Sequence, residues 1–191
     1  MNITLILGHP DAGGRHFCHA LGAAYVQGAK DAGHAVRTID VAALEFDLLR
    51  NADEWQQAAP CGSIREAQES IAWARHLVIV FPLWLGDMPA RLKGFFEQAF
   101  RPGFAIGRAP EGRMWKRLLK GRSARILVTM GMPAFFYRVY YRAHSVRSLK
   151  RNILEFCGIA PVQTAYFGAV ESPRTRELAL AKAQALGRAG R

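Results

Sequence analysis

Five short β-rich apolar runs alternate with five stretches of helical periodicity along this chain, and that alternation restricts the fold more than any other feature. Ile3 to Leu7 reads as a short buried strand. Residues 16–32 follow as an amphipathic helix, with Phe17, Leu21, Ala24 and Tyr25 on one face and Gly33 as its stop. Ala35 to Val41 is the second strand. An irregular stretch over about 42–63 leads to a second helix marked by Ile64, Ala67, Ile71 and Ala74. His76 to Phe81 is a continuous β-rich run, as expected of a central parallel strand covered on both faces. Pro82 ends it, and a third helix begins near Pro89 with Leu92, Phe95, Phe96, Ala99 and Phe100 on its stripe. Beyond a Gly/Arg/Pro-rich excursion over 101–122 come a fourth strand, Ala124 to Thr129, and a helix carrying Val146, Leu149, Ile153 and Cys157. Pro161 to Phe167 is the fifth strand, and Ser172-Pro173 opens the last helix. Strands alternating with helices predict a parallel sheet with right-handed crossovers. The expectation is a three-layer, doubly wound α/β fold with five parallel strands in the order 2-1-3-4-5. Its ligand crevice then lies beyond the carboxyl ends of the strands, at the switch between strands 1 and 3.

With 191 residues, half of them apolar, the chain predicts one domain with a substantial core, and no apolar run reaches the length of a bilayer span. The apolar start ends at Gly8-His9-Pro10-Asp11, a poor signal peptide and a good first strand. Cys18, Cys61 and Cys157 are odd in number and far apart, which fits a reduced, cytoplasmic protein. No metal-binding spacing appears. The net charge of +11 is uneven: residues 1–100 carry 8 Lys/Arg against 11 Asp/Glu, and residues 101–191 carry 18 against 4. An anionic ligand, a membrane surface or a solvated arginine-rich face all fit this asymmetry. The basic residues are dispersed and match no nucleic-acid fold signature, so no nucleic-acid partner is expected.

The predicted topology gathers three loops at one sheet edge. Gly8 to Phe17 runs glycines into a helix N-terminus, where backbone N–H groups and the helix dipole favour a phosphate. Arg15 and His16 add charge-assisted donors. The loop has neither the GxGxxG nor the P-loop pattern, and a tight βα turn with a polar cap fits it as well. Phe81 to Pro89 is an apolar strand-end loop whose N–H groups can meet the polar edge of a flat heterocycle, with Trp84 and Leu85 along one face. A buried connection, with Asp87 capping the next helix, is the alternative. In the third loop, Thr129 to Tyr137, Gly131 permits close backbone approach. Its aromatics and those beyond wall a planar substrate, a dimer contact or the core; packing fits Phe135 and Phe136 best.

These segments together resemble the flavodoxin-like NAD(P)H:quinone oxidoreductases over nearly the whole chain. The most specific piece is Phe81-Pro82-Leu83-Trp84 followed, four residues on, by Pro89-Ala90-Arg91-Leu92-Lys93-Gly94-Phe95-Phe96-Glu97. His9-Pro10, Phe17 with Ala20-Leu21, Thr129-Met130-Gly131 and Ile153 to Gly158 fall in the family's order. The resemblance implies a flavin, FAD or FMN, with its phosphate at His9, Arg15, His16, Phe17 and Cys18. It places the flavin ring against Pro82, Leu83, Trp84, Leu85, Thr129, Met130 and Gly131. It further implies NAD(P)H as hydride donor, a ping-pong sequence, a quinone-like two-electron acceptor and a homodimer. Tyr137 matches a family tyrosine that stabilises charge on the reduced flavin, and His144 stands one residue from the matching histidine. Two departures stand out: the phosphate loop is about two residues longer and lacks the serine before Phe17, and Leu85-Gly86 replaces a pair of aromatics common in the family. A second implied reading is an ancillary subunit of a glutathione-gated potassium efflux transporter, with the basic half at a membrane surface. A one-electron flavodoxin-type carrier conflicts with the charge of +11.

Overall fold

The computed structural model describes residues 1–56, 59–107 and 115–190. Its main sheet contains β1 (Asn2–Leu7), β2 (Ala35–Asp40), β3 (His76–Pro82), β6 (Ser123–Thr129) and β7 (Val162–Phe167), in the order β2-β1-β3-β6-β7 with every pair parallel. This is the expected 2-1-3-4-5 order once two short strands are set aside. Those are β4 (Ile106–Gly107) and β5 (Lys116–Arg117), an antiparallel ribbon inside the 101–122 excursion. Residues 108–114 of that excursion, and 57 and 58 of the 42–63 stretch, lie outside the described residues.

Side chains alternate between the two faces of a strand, and here both faces are covered. Ile3, Leu5, Leu7, Val78, Val80 and Leu127 pack with α1 (Phe17–Asp31) and α7 (Pro173–Arg188). Ile6, Leu77, Ile79, Phe81, Ile126 and Val128 face α3 (Gly62–Trp73) and α4 (Ala90–Ala99). That double burial is why the strands read as unbroken apolar runs. The buried stripe of α1 is Cys18, Leu21, Gly22, Tyr25, Gly28 and Ala29, rotated slightly from the expected face because Phe17 and Ala24 are only half-buried. Gly28 and Gly187 mark where α1 and α7 touch backbone to backbone: a Cβ on Gly28 would lie 2.0 Å from the Gln184 carbonyl oxygen.

Several elements differ from the sequence expectation. A one-and-a-half-turn helix, α2 (Ala52–Gln56), interrupts the 42–63 stretch. Pro89 flanks α4 as its N-cap rather than opening it. The loop after β6 holds α5 (Ala134–Val139). The helix expected around 146–157 is α6 (His144–Ser148) running directly into a π-helical stretch, Leu149–Glu155. The wider winding buries Leu149 and Leu154, five residues apart, and leaves Ile153 half-buried.

Candidate functional site

The loops after β1, β3 and β6 leave the same edge of the sheet and are stitched together beyond the strand ends. Gly8 N–H donates to the Val80 carbonyl (2.7 Å), Leu83 N–H to Thr129 (2.8 Å) and Met130 N–H to Phe167 (2.9 Å). Each loop therefore starts from a fixed position. Gly8 is required there, since a Cβ would meet Leu92 Cδ2 at 2.6 Å.

The first loop folds around its own polar groups. Asp11 accepts a hydrogen bond from Gly13 N–H at 2.8 Å and pairs with His16 Nε2 at 2.6 Å. The bond to His16, more than any other contact, holds the Asp11 carboxyl below its usual range. His9 Nδ1 accepts from Asp11 N–H at 3.2 Å, so the proton of the neutral ring is on Nε2. Burial, then the proximity of His16, lowers the His9 pKa and favours that neutral form. The His9 and His16 rings stack at 3.9 Å, and His19 lies 5.3 Å from His9. Both ring nitrogens of His19 are buried without a hydrogen-bond partner among the described residues. No side chain caps the first turn of α1. The loop thus places three imidazoles, Arg15 and uncapped N–H groups at one helix N-terminus, a donor set suited to a phosphate. Among the described residues no group of three or more His, Cys, Asp or Glu is arranged to hold a metal ion.

Trp84 joins the first loop to the second, its ring edge-on to His9 at 5.8 Å. Trp84 and Asp87 exchange backbone hydrogen bonds of 2.8 and 2.9 Å, and the two residues between them have positive φ: +48° at Leu85 and +81° at Gly86. This is a type I′ turn. Asp87 accepts from Met88 N–H and closes the turn, so it does not cap α4. Leu85 projects fully into solvent from this strained position.

Beneath the loops, Cys18 Sγ meets Thr129 Oγ1 at 3.1 Å, tying α1 to the end of β6. Burial pushes the Cys18 thiol up to about 11, so it is neutral and its side chain is directed inward. Above, a cleft of 400 Å³ opens between Leu83 and Leu85 on one side and Met130 and Gly131 on the other, with Tyr137 and His144 on its wall. Six of the residues singled out in the sequence thus line one space. Thr129 and Pro82 form the sheet edge below. Tyr137 is fully buried, its hydroxyl 2.8 Å from Ser145 Oγ. His144 is exposed; its Nδ1 donates to the Tyr141 carbonyl at 3.0 Å, which leaves Nε2 available. Another space, of 470 Å³, lies beyond the turn, between Trp84, Met88, Lys93 and Ile153.

Phe135 and Phe136 are exposed rather than packed, because the short α5 turns only Tyr137 inward. The sequence also hid Asp11, His19 and Ser145. Of these, His19 alone left a signal, three residues after His16 on the same helix face.

A family model described as the flavodoxin-like fold matches residues 1–188. The chain belongs to this family. It is 28% identical over 173 residues to a protein of Haemophilus influenzae named an uncharacterized NAD(P)H oxidoreductase, covering 88% of this chain and 84% of that one. An NAD(P)H:quinone oxidoreductase from Methanothermobacter marburgensis superposes with a TM-score of 0.83 at 24% identity, covering 98% and 96% of the two chains. An FMN-dependent NADH-azoreductase from Bacillus anthracis, solved in complex with FMN, superposes with a TM-score of 0.72 at 17% identity over 98% of each. At these identities the two structures establish the flavodoxin-like architecture. Among the described residues no helix is long and apolar enough to cross a membrane.

Proposed function

We propose that this flavodoxin-like chain is a flavin-dependent NAD(P)H oxidoreductase that reduces quinone-like two-electron acceptors. The observation that carries the reading is the 400 Å³ cleft between the second and third loops, beside the imidazole-rich N-terminus of α1. The name of the Haemophilus influenzae relative supports the nicotinamide donor.

The donor set fits a flavin mononucleotide portion, common to FMN and FAD. His9, Arg15 and His16, with the N–H groups of Phe17 and Cys18, would hold the phosphate. The N–H groups of Leu85 and Gly131 would meet the polar edge of the ring, those of Leu83, Trp84 and Met130 being held by Thr129, Asp87 and Phe167. When bound, the flavin supplies the redox chemistry, taking hydride from NAD(P)H and passing it to the acceptor in a ping-pong sequence. The protein's part is orientation and proton management. Leu83, Leu85 and Met130 would give the ring an apolar surface to lie against. Ser145 holds the buried Tyr137 hydroxyl and so fixes the ring of Tyr137 behind the cleft. His144, fixed through Nδ1, has the Nε2 lone pair free to take up a proton from solvent, and the ring protonated there can pass it to a reduced acceptor oxygen. His144→Gln is expected to lower kcat with a quinone about 10²-fold. Initial rates at several fixed quinone concentrations should give parallel double-reciprocal lines. Intersecting lines would overturn the ping-pong order, and no NAD(P)H oxidation by the flavin-loaded protein would overturn the reading itself.

A further inference from the structure

The segment 137–144 lies between two clefts. Tyr137, Tyr141 and His144 face the cleft described above. Arg138, Arg142 and Ala143 line a different one, of 410 Å³, completed by Phe135, Arg147 and Tyr166. The two sets lie on opposite sides of the segment, Phe135, Arg138 and Arg142 at helical spacing on one and Tyr137 and Tyr141 on the other, and the chain then turns through two left-handed residues, Arg142 (φ +53°) and Ala143 (φ +47°). Chain neighbours such as Tyr137 and Arg138 serve opposite clefts, so one chain width separates the two.

The second cleft is strongly basic. None of Arg138, Arg142 and Arg147 has a carboxylate within ion-pair distance among the described residues. Arg138 lies over the Tyr166 ring at 5.7 Å. Burial and Tyr137 push the Tyr166 hydroxyl up, while Thr164 and the nearby Arg138 and Arg147 pull the other way. Arg147 and Tyr166 also border a further groove, of 540 Å³, that carries Lys150. Phe135 is 74% exposed at the rim and offers a flat apolar face. Three unpaired guanidinium groups repel one another, and a phosphate dianion removes that repulsion while accepting forked hydrogen bonds.

We propose that this second cleft binds the 2′-phosphate of NADPH through Arg138, Arg142 and Arg147, with the adenine against Phe135, and that the protein selects NADPH over NADH. The inference rests on the oxidoreductase reading, since it concerns that enzyme's donor. The two nucleotides differ only in the 2′-phosphate, so discrimination between them must come from groups that touch it. A nicotinamide laid against a flavin in the first cleft would leave the adenosine end to extend past the 137–144 segment toward the arginines.

Calorimetric titration of the purified protein with adenosine 2′,5′-bisphosphate and with 5′-AMP tests this without using turnover. The bisphosphate is expected to bind at least about tenfold tighter, and Arg142→Gln or Arg147→Gln to abolish that preference. Because Arg142 sits in a strained turn, Arg147→Glu provides a second variant, at an exposed helical position, and is expected to weaken the bisphosphate further. In stopped-flow, NADPH should reduce the flavin-loaded wild type at lower concentration than NADH, with the two donors becoming alike in the variants. Equal affinity for the two nucleotides, or a preference that survives both arginine variants, would overturn the proposal. So would inorganic phosphate competing as well as the bisphosphate. A flavin reduced equally well by NADH and NADPH would overturn it while leaving the oxidoreductase reading intact; a protein that binds no flavin would fail that reading instead.

Discussion

Leu85 shows how much local strain this site tolerates. A leucine at φ +48° costs about 1–2 kcal/mol relative to ordinary backbone, and full exposure returns nothing in packing. Leu85→Asn, better suited to a left-handed position, is expected to leave stability unchanged or raise it by about 1 kcal/mol in urea denaturation. The same change should weaken flavin binding several-fold, because the apolar wall of the cleft is lost. His76 provides a titration signal away from the site. Burial first, then Arg125, lowers its pKa to about 4, with Nδ1 bonded to Ser123 Oγ at 2.8 Å. In the unfolded chain the ring titrates near 6.5, so between these values the unfolded state binds the extra proton. Stability is therefore full above pH 6.5 and falls as pH drops toward 4, by about 3 kcal/mol from this residue. His76→Asn removes the titration, and the wild-type-minus-variant difference in unfolding free energy should change over that window only. Leu83, Leu85, Met130 and Gly131 were legible because strand ends and loop composition announce them, whereas Tyr137 and His144 were legible only through the resemblance to a family. Asp11 and Ser145 were not, because their importance comes from the His16 and Tyr137 hydrogen bonds, which exist only in the folded chain.

At the scale of elements, the motif from Pro82 to Glu97 shapes the site mainly by packing. Leu92 fills the space that Gly8 leaves, Gly94 admits Leu48, and Arg91 donates to the carbonyls of Val41 and Leu44 to fasten the 42–51 stretch. The α1–α7 contact is equally demanding. Gly28→Ala places a methyl 2.0 Å from the Gln184 carbonyl and is expected to lower the unfolding free energy by about 3 kcal/mol, read as a lower urea midpoint with unchanged slope. Sequence periodicity made the five strands of the main sheet and the long helices plain, since burial on both faces writes itself as apolar runs. It did not show α5 or the π-helical 149–155 segment. A six-residue surface helix has too few turns to display a period, and i to i+5 winding shifts the buried stripe from Ile153 to Leu154.

Over the whole molecule, the doubly wound sheet brings three loops, far apart in sequence, to one edge, and their joint chemistry makes the site. The charge follows the same geometry: the acidic first half contributes β1 and the imidazole-bearing loop after it, and the basic second half contributes the arginine-lined wall beyond α5. The chain order dictated the 2-1-3-4-5 topology, but that Arg138, Arg142 and Arg147 line one cleft was hidden, because the short α5 and the turn after it leave no period in the sequence. The central claim is that the strand-end cleft holds a flavin reducible by NAD(P)H. Visible absorbance of the protein, loaded with FMN or FAD, desalted and titrated anaerobically with NADPH and NADH, tests it most directly. Retention of a yellow flavin that bleaches with about one equivalent of a nicotinamide donor and regains its colour with quinone is the predicted result. A protein that emerges colourless with both flavins would contradict the account.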